Sequence, residues 1–310
     1  MTRKSRILSS RIPKLAIFGV ALCASFASPK TVRAQTSAPV PNLPSRPFGA
    51  GPVPQSATAS PVATPAALAA PAPPLPNNWT SLKTLPGFPA STPLLLTDGR
   101  VLVQDYGTTN WFVLTPDNTG SYANGTWSSV GSSPKQCYDS YTGVTESWAP
   151  LYMASAVLPD GRVVMIGGEY NIALSNNEVW SSLGEIYDPV ANTWTCLSAP
   201  SGWNQLGDAM SVVLPNGTFL LGNALGTSIA TLNLGTNTPT WNIINPTGKS
   251  ADGNSYNNEE GWTLLPNGKV LTLEIWNTAD TTTTPALQYN PATQNWDPAG
   301  TAPDPLVLIK

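Results

Sequence analysis

The chain has 310 residues, with 25 Gly, 32 Pro, 11% charged residues and no histidine. This excludes a Ser-His-Asp or Cys-His nucleophile pair and any imidazole metal ligand within the chain. It is also far from the Lys-, Glu- and Leu-rich composition of a helical bundle, and points to a turn-rich all-β protein. The net charge of −3 hides a segregation: residues 1–34 carry seven Lys/Arg and no acid, which leaves the remainder at −10. Such a body repels phosphate backbones, so nucleic acid is not an expected partner.

The chain opens with a basic stretch to Lys14 and the thirteen-residue apolar run Leu15–Ala27. That run is short for a bilayer span and fits the core of an export signal. Val32-Arg33-Ala34 puts small residues where a signal peptidase needs them, so residues 1–34 are expected to be a signal peptide cleaved after Ala34, with Ala27 as the alternative. The mature protein is then secreted, periplasmic or held in the cell envelope, with no membrane span. Residues 35–77 hold 12 prolines in 43 positions. Such composition builds no core, and reads as a disordered Pro/Ala-rich linker.

From residue 78 the chain repeats. An apolar strand, a tight turn and a second apolar strand recur as LLLTDGRVLV at 94–103, AVLPDGRVVM at 156–165, VVLPNGTFLL at 212–221 and TLLPNGKVLT at 263–272. The glycines Gly99, Gly161, Gly217 and Gly268 are 62, 56 and 51 residues apart. Asp-Gly and Asn-Gly supply the positive φ of a two-residue hairpin turn, so each unit is expected to be a hairpin of strands a and b. A second hairpin, c and d, follows each. Tyr187-Asp188-Pro189 with Trp194 and Tyr289-Asn290-Pro291 with Trp296 share one spacing, and Leu114 with Trp127 and Leu232 with Trp241 are looser copies. Four strands at this period make a propeller blade.

With Gly167-Gly168 closing strand b, and Tyr187 and Trp194 seven residues apart, residues 78–310 resemble the kelch family of β-propellers. Within that resemblance the nearest enzymes are the galactose-oxidase-like group, whose copper–radical site needs two histidines. None exists here, so no catalytic residue carries over and no cofactor is implied. Asn78–Leu82 resembles a strand d, which in such propellers closes the ring by completing the last blade. The expected inventory is therefore four blades plus one N-terminal closing strand. After Trp296 only fourteen residues follow, and the sequence is expected to be part of a six- or seven-bladed ring. Cys137 and Cys196 remain after signal removal; sequence leaves a disulfide and two free thiols equally open.

Strand alternation puts the tight a–b and c–d turns on one face and the b–c and d–a connections on the other. The long connections, 131–150, 168–183, 244–260 and 274–285, are all of the second kind, and long ordered loops on a rigid scaffold are where binding residues concentrate. That face carries eleven of the eighteen acids. The residues expected to bind there are Asp105, Tyr106, Trp148, Glu169, Tyr170, Glu259, Trp262, Glu274 and Trp276. Glu169, Glu274 and Asp105 fall at or just past strand b and are expected at the mouth of the ring. Acids beside exposed aromatic faces suit a neutral or cationic sugar, a basic peptide or a calcium-bridged ligand. The expected function is thus an exported binding module for a carbohydrate or protein ligand. The alternative is an exported oxidase-, glycosidase- or lyase-like enzyme with its catalytic groups elsewhere.

Overall fold

The structure is a computed structural model describing residues 79–303, except 132, 135, 140, 236–237, 250–256 and 276–282. The signal, linker and C-terminal apolar segments, and Trp276, lie outside the described residues. The first sheet is the meander β1 (Ala90–Leu95), β2 (Val101–Asp105), β3 (Trp111–Thr115) and β4 (Thr126–Ser129). A connection carrying the short strands β5 (Cys137–Asp139), β6 (Val144–Glu146) and β7 (Pro150–Leu151) leads to the second sheet. That sheet is β8 (Ala154–Val157), β9 (Val163–Ile166), β11 (Leu183–Asp188) and β12 (Thr193–Ser198), with β10 (Tyr170–Asn171) set apart from it and paired with β7. The third is β13 (Ser211–Val213), β14 (Phe219–Gly222), β15 (Ile229–Asn233) and β16 (Thr240–Ile244). The fourth is β17 (Thr263–Leu264), β18 (Val270–Leu273), β19 (Pro285–Asn290) and β20 (Asn295–Thr301).

All four sheets are antiparallel, with each strand beside its neighbour in sequence. The leading strands β1, β8, β13 and β17 pack one against the next, so the sheets radiate from a shared side. Successive meanders that meet along their first strands are the blades of a β-propeller. Blades one and two share a core of Leu102, Trp111 and Val113 against Val163, Met165, Leu183 and Tyr187. Blades three and four share Leu214, Leu220 and Ile229 against Val270, Leu287, Tyr289 and Trp296. The middle strand β9 is buried on both faces, as its unbroken Val-Val-Met-Ile run requires, whereas the outer strand β12 is mostly exposed.

The a–b hairpins form, but with a different turn from the one expected. In each, the glycine N–H donates to the residue three before it, and that residue's own N–H donates to the carbonyl just after the glycine: Gly99 to Leu96 at 3.0 Å and Leu96 to Arg100 at 2.8 Å, with the same pairs at Gly161, Gly217 and Gly268. Only the glycines have positive φ, +80° to +89°; the preceding Asp or Asn does not. This is a type I turn closed by a glycine bulge, because the Asp or Asn side chain is engaged elsewhere. It accepts the N–H two residues on, as from Arg100 to Asp98 and from Thr218 to Asn216, both 3.0 Å. The segment expected to close the ring is also different. Residues 79–82 make no strand pairing and Trp79 is 77% exposed, since a strand exists by its ladder and none of the described strands lies beside it.

Candidate functional site

The two rims of the blades differ as the loop lengths foretold, but the long-loop rim is more ordered than a set of loops. Strands β5 and β6 pair as a hairpin, with Tyr138 opposite Thr145. Cys137 is joined to Cys196 on β12, with Cα atoms 5.6 Å apart, and Asp139 accepts the Ser182 hydroxyl at 2.8 Å. The chain then turns inward, and Asn171 grips it: the side-chain amide donates to Ser147 at 2.8 Å while its oxygen accepts the Ala149 N–H at 2.9 Å. The Gln104 amide adds a bond to the Pro150 carbonyl at 2.8 Å. Blades one and two are thereby tied together at this rim.

Gly167-Gly168 makes the tie geometrically feasible. Both have positive φ, +83° and +104°. A Cβ on Gly167 would stand 2.7 Å from the Gly207 carbonyl oxygen, and one on Gly168 2.8 Å from the Leu151 carbonyl oxygen. Only glycine permits both the conformation and the approach. Residues 168–181 then fold back so that the Glu169 carbonyl accepts from Val179 and Trp180.

These ties bury much of what was expected to face a ligand. Glu169 and Glu274 are only 3% and 4% exposed, so neither lines an open mouth. Trp148, Tyr170 and Trp203 are buried too, and the Trp148 indole donates to the Gly167 carbonyl at 3.1 Å. The expectation of exposed aromatic faces is corrected at Trp148 and Tyr170: each ring is large enough to be drawn under the loops that it supports. Asp105, Tyr106, Glu259 and Trp262 are half-buried. Trp262 packs 5.7 Å from Trp296, in the fourth blade, rather than beside the blade-two residues. Burial, and then the neighbouring Tyr152 phenol, hold the Tyr106 hydroxyl above its ordinary range.

Among the described residues, the most exposed aromatic groups on this rim are Tyr138, Tyr141 and Tyr152; Val144, near the first two in the chain, and Leu174, in the 168–181 segment, are exposed too. Sequence reasoning passed over all three tyrosines. Tyr138 alternates with the buried Cys137 and Asp139 on β5, a signal available once that stretch is read as a strand. Tyr152 has a positive φ of +59°, which no pattern in the sequence announces.

Two buried acid sites lie beneath the rim. Glu185, on β11, occupies the place held by Phe112, Ala230 and Leu287 in the other blades, as the registers at Leu114, Tyr187, Leu232 and Tyr289 show. The Ser133 hydroxyl lies 2.6 and 2.7 Å from its two oxygens, and burial pushes its carboxyl up to about 7. Between blades three and four, Lys249 donates to Glu260 at 2.5 Å and to Asn257 at 2.9 Å, and Thr272 donates to the same Glu260 oxygen at 3.1 Å. Burial raises the Glu260 carboxyl and lowers the Lys249 amine, each against the pull of the other. Asn257 in turn donates to the carbonyls of Gly226 and Ser228, pinning the b–c connection of blade three. Among the described residues no group of three or more His, Cys, Asp or Glu is placed to hold a metal ion.

On the opposite rim a groove of about 690 Å³ opens between the a–b turn of blade two and the strands of blade three. Arg162, Asn216, Asn233 and Asn242 supply its polar lining, with Pro159, Phe219 and Leu232 among the apolar walls. The corresponding place between blades one and two is bridged, because Arg100 reaches the Pro189 carbonyl at 3.4 Å.

The chain is therefore a β-propeller protein by its own architecture. No family profile matches it, and no curated protein is similar to it in sequence. Among solved structures, it is similar to catalytically inactive virginiamycin B lyase from Staphylococcus aureus with quinupristin, at 10% identity and a TM-score of 0.45, over 75% of this chain and 59% of that one. Selenomethionine-substituted lyase from the same organism matches at 10% identity and a TM-score of 0.43, over 72% and 58%. A fungal alcohol oxidase of the AA5 family in complex with copper matches at 19% identity and a TM-score of 0.36, over 69% and 53%. The chain spans 53–59% of the length of these structures.

Proposed function

We propose that this protein is an exported, kelch-type propeller that acts as a binding module, and that its long-loop rim is the binding face. One observation carries the reading: the loops of that rim are cross-tied, with the Cys137–Cys196 bond, Asn171 and Gln104 holding the connection between blades one and two at Cys137, Ala149 and Pro150, and Asn257 holding the b–c connection of blade three. Loops fixed before a ligand arrives lose little conformational entropy on binding, which favours recognition. The turn rim, by contrast, is built of short repeated hairpins. Export accounts for the basic and apolar N-terminus and agrees with a disulfide in the mature part. The ligand is a carbohydrate or a protein, and calcium has no described ligand set on this rim.

The test is the full chain screened on glycan and basic-peptide arrays, with changes confined to one rim at a time. Asp105→Asn with Glu146→Gln should weaken a detected interaction, while Arg162→Ala with Asn242→Ala in the turn-rim groove should leave it intact. The reverse pattern would move the binding face to the groove.

A further inference from the structure

Tyr152 is displayed in an unusual way. Its backbone is left-handed, with φ +59°, a conformation strained for any residue with a Cβ. Glycine or asparagine would make the same turn with less strain. The flanking residues leave it no freedom to relax: Leu151 is paired with Tyr170 and buried, and Met153 is buried in the core. Yet Tyr152 is 54% exposed. Its ring meets that of the buried Tyr170 in a T-shaped contact, with centroids 6.1 Å apart and planes at 69°. A large side chain is thus fixed at its base, held against Tyr170 and presented to water. The disulfide-tied hairpin of the same rim adds Tyr138 and Tyr141, 58% and 47% exposed.

We infer that Tyr152 is a stacking platform for one ring of a neutral carbohydrate. This rests on the long-loop rim being the binding face. A rigid aromatic face matches the C–H face of a pyranose, and a tyrosine brings a hydroxyl that bonds at the rim of the sugar. Asp105, at the end of β2 on the same rim, offers a carboxylate to sugar hydroxyls, a charge-assisted bond of the stronger kind. The net −10 of the body and the acids of this rim disfavour a polyanion. A basic peptide would instead bind by charge, and its binding would fall steeply with salt.

Affinity electrophoresis of the full chain tests this, using gels that contain hydroxyethylcellulose, xylan or galactomannan, with polygalacturonate and poly-lysine as charged comparisons. At least one neutral polysaccharide is expected to retard the protein equally at low and high salt. Tyr152→Gly should weaken that retardation about tenfold or more, the equivalent of ~1.4 kcal/mol. Its melting temperature should not fall, because glycine relieves the left-handed backbone; Tyr152→Phe should retain most of the affinity. Unchanged retardation of Tyr152→Gly, with loss in Asp105→Asn and Glu146→Gln, overturns the platform and keeps the rim. Salt-sensitive binding to poly-lysine alone overturns the carbohydrate. Retardation lost only with Arg162→Ala overturns the rim itself, and retardation by no probe overturns the proposal.

Discussion

Tyr187 stands directly opposite Trp194 across β11 and β12, with ring centroids 4.6 Å apart. Leu114 and Trp127, Leu232 and Trp241, and Tyr289 and Trp296 hold the same register in the other blades. Three of these tryptophans also reach outward along the chain. The Trp194 indole donates to the Gly131 carbonyl at 2.6 Å, just past the last strand of blade one, and Trp241 donates to Ser198 at 2.8 Å, at the end of blade two. Trp127 donates in the same way to Thr84, which precedes blade one. The repeated tryptophan therefore joins consecutive blades as well as packing its own.

Trp194→Ala should destabilise the protein by about 3 kcal/mol, the usual cost of deleting a large, largely enclosed aromatic side chain. The ring contacts both Tyr187 and Trp111 of the preceding blade. Trp194→Phe should cost clearly less, because it removes the indole bond and some bulk but leaves a ring. Urea denaturation of both variants measures the difference. Equal costs would mean that the ring packing is immaterial to the joint.

The repeat was legible because its determinants are local. The glycine of each a–b turn and the Tyr or Leu opposite each Trp follow from strand periodicity and turn chemistry, and the structure pairs them in register. The site was less legible. Whether Glu169 or Trp148 faces water depends on how the 147–151 and 168–181 segments cross, and that is set by Asn171 and Trp148 bonding to main chain far along the sequence. No period reports such contacts. Burial of large aromatic rings beneath these loops left Tyr138, Tyr141, Val144 and Tyr152 to carry the exposed surface.

Glu185 makes stability depend on pH. Its folded carboxyl is raised from the ordinary 4.5 to about 7 by burial, which the Ser133 hydroxyl only partly offsets. A raised acid binds its proton more tightly in the folded state. Stability is then fully present below about pH 4.5 and is lost as pH rises through about 7, by an amount on the order of 3 kcal/mol. Melting temperatures between mildly acidic and mildly alkaline buffer should fall for the native protein and fall less for Glu185→Gln. Parallel falls in the two proteins would place the titrating group elsewhere.

The Cys137–Cys196 bond closes a sequence separation of 59 residues, worth about 4 kcal/mol by the chain-entropy argument. It also pins β5 to β12, so its loss should be felt first in the β5–β6 hairpin. C137S with C196S should lower the unfolding free energy by up to that amount. Hydrogen exchange of Tyr138 and Thr145 should accelerate more than that of Met165 or Ile166 in the core of blade two. Uniform acceleration would show that the bond acts on the whole domain and does not anchor the hairpin.

Lys249 and Glu260 allow a sharper measurement, because both side chains are fully enclosed and only 2.5 Å apart. The Lys249 amine also lies 5.4 Å from the centre of the Trp296 ring, so its charge is met by a carboxylate and by a π face. Lys249→Met takes the cation away and leaves Glu260 with Thr272 as its described donor, while its second oxygen, Oε1, has no partner among the described residues. An enclosed carboxylate stripped of its cation costs about 3–5 kcal/mol. Glu260→Gln removes the charge but keeps an oxygen for the Thr272 hydroxyl, so the double variant leaves neither charge stranded and should be more stable than Lys249→Met alone. Denaturant unfolding of the native protein, the two single variants and the double gives the coupling directly. A double variant whose loss equals the sum of the single losses would mean that the two groups do not sense each other, in which case the short contact does not stabilise the joint between blades three and four.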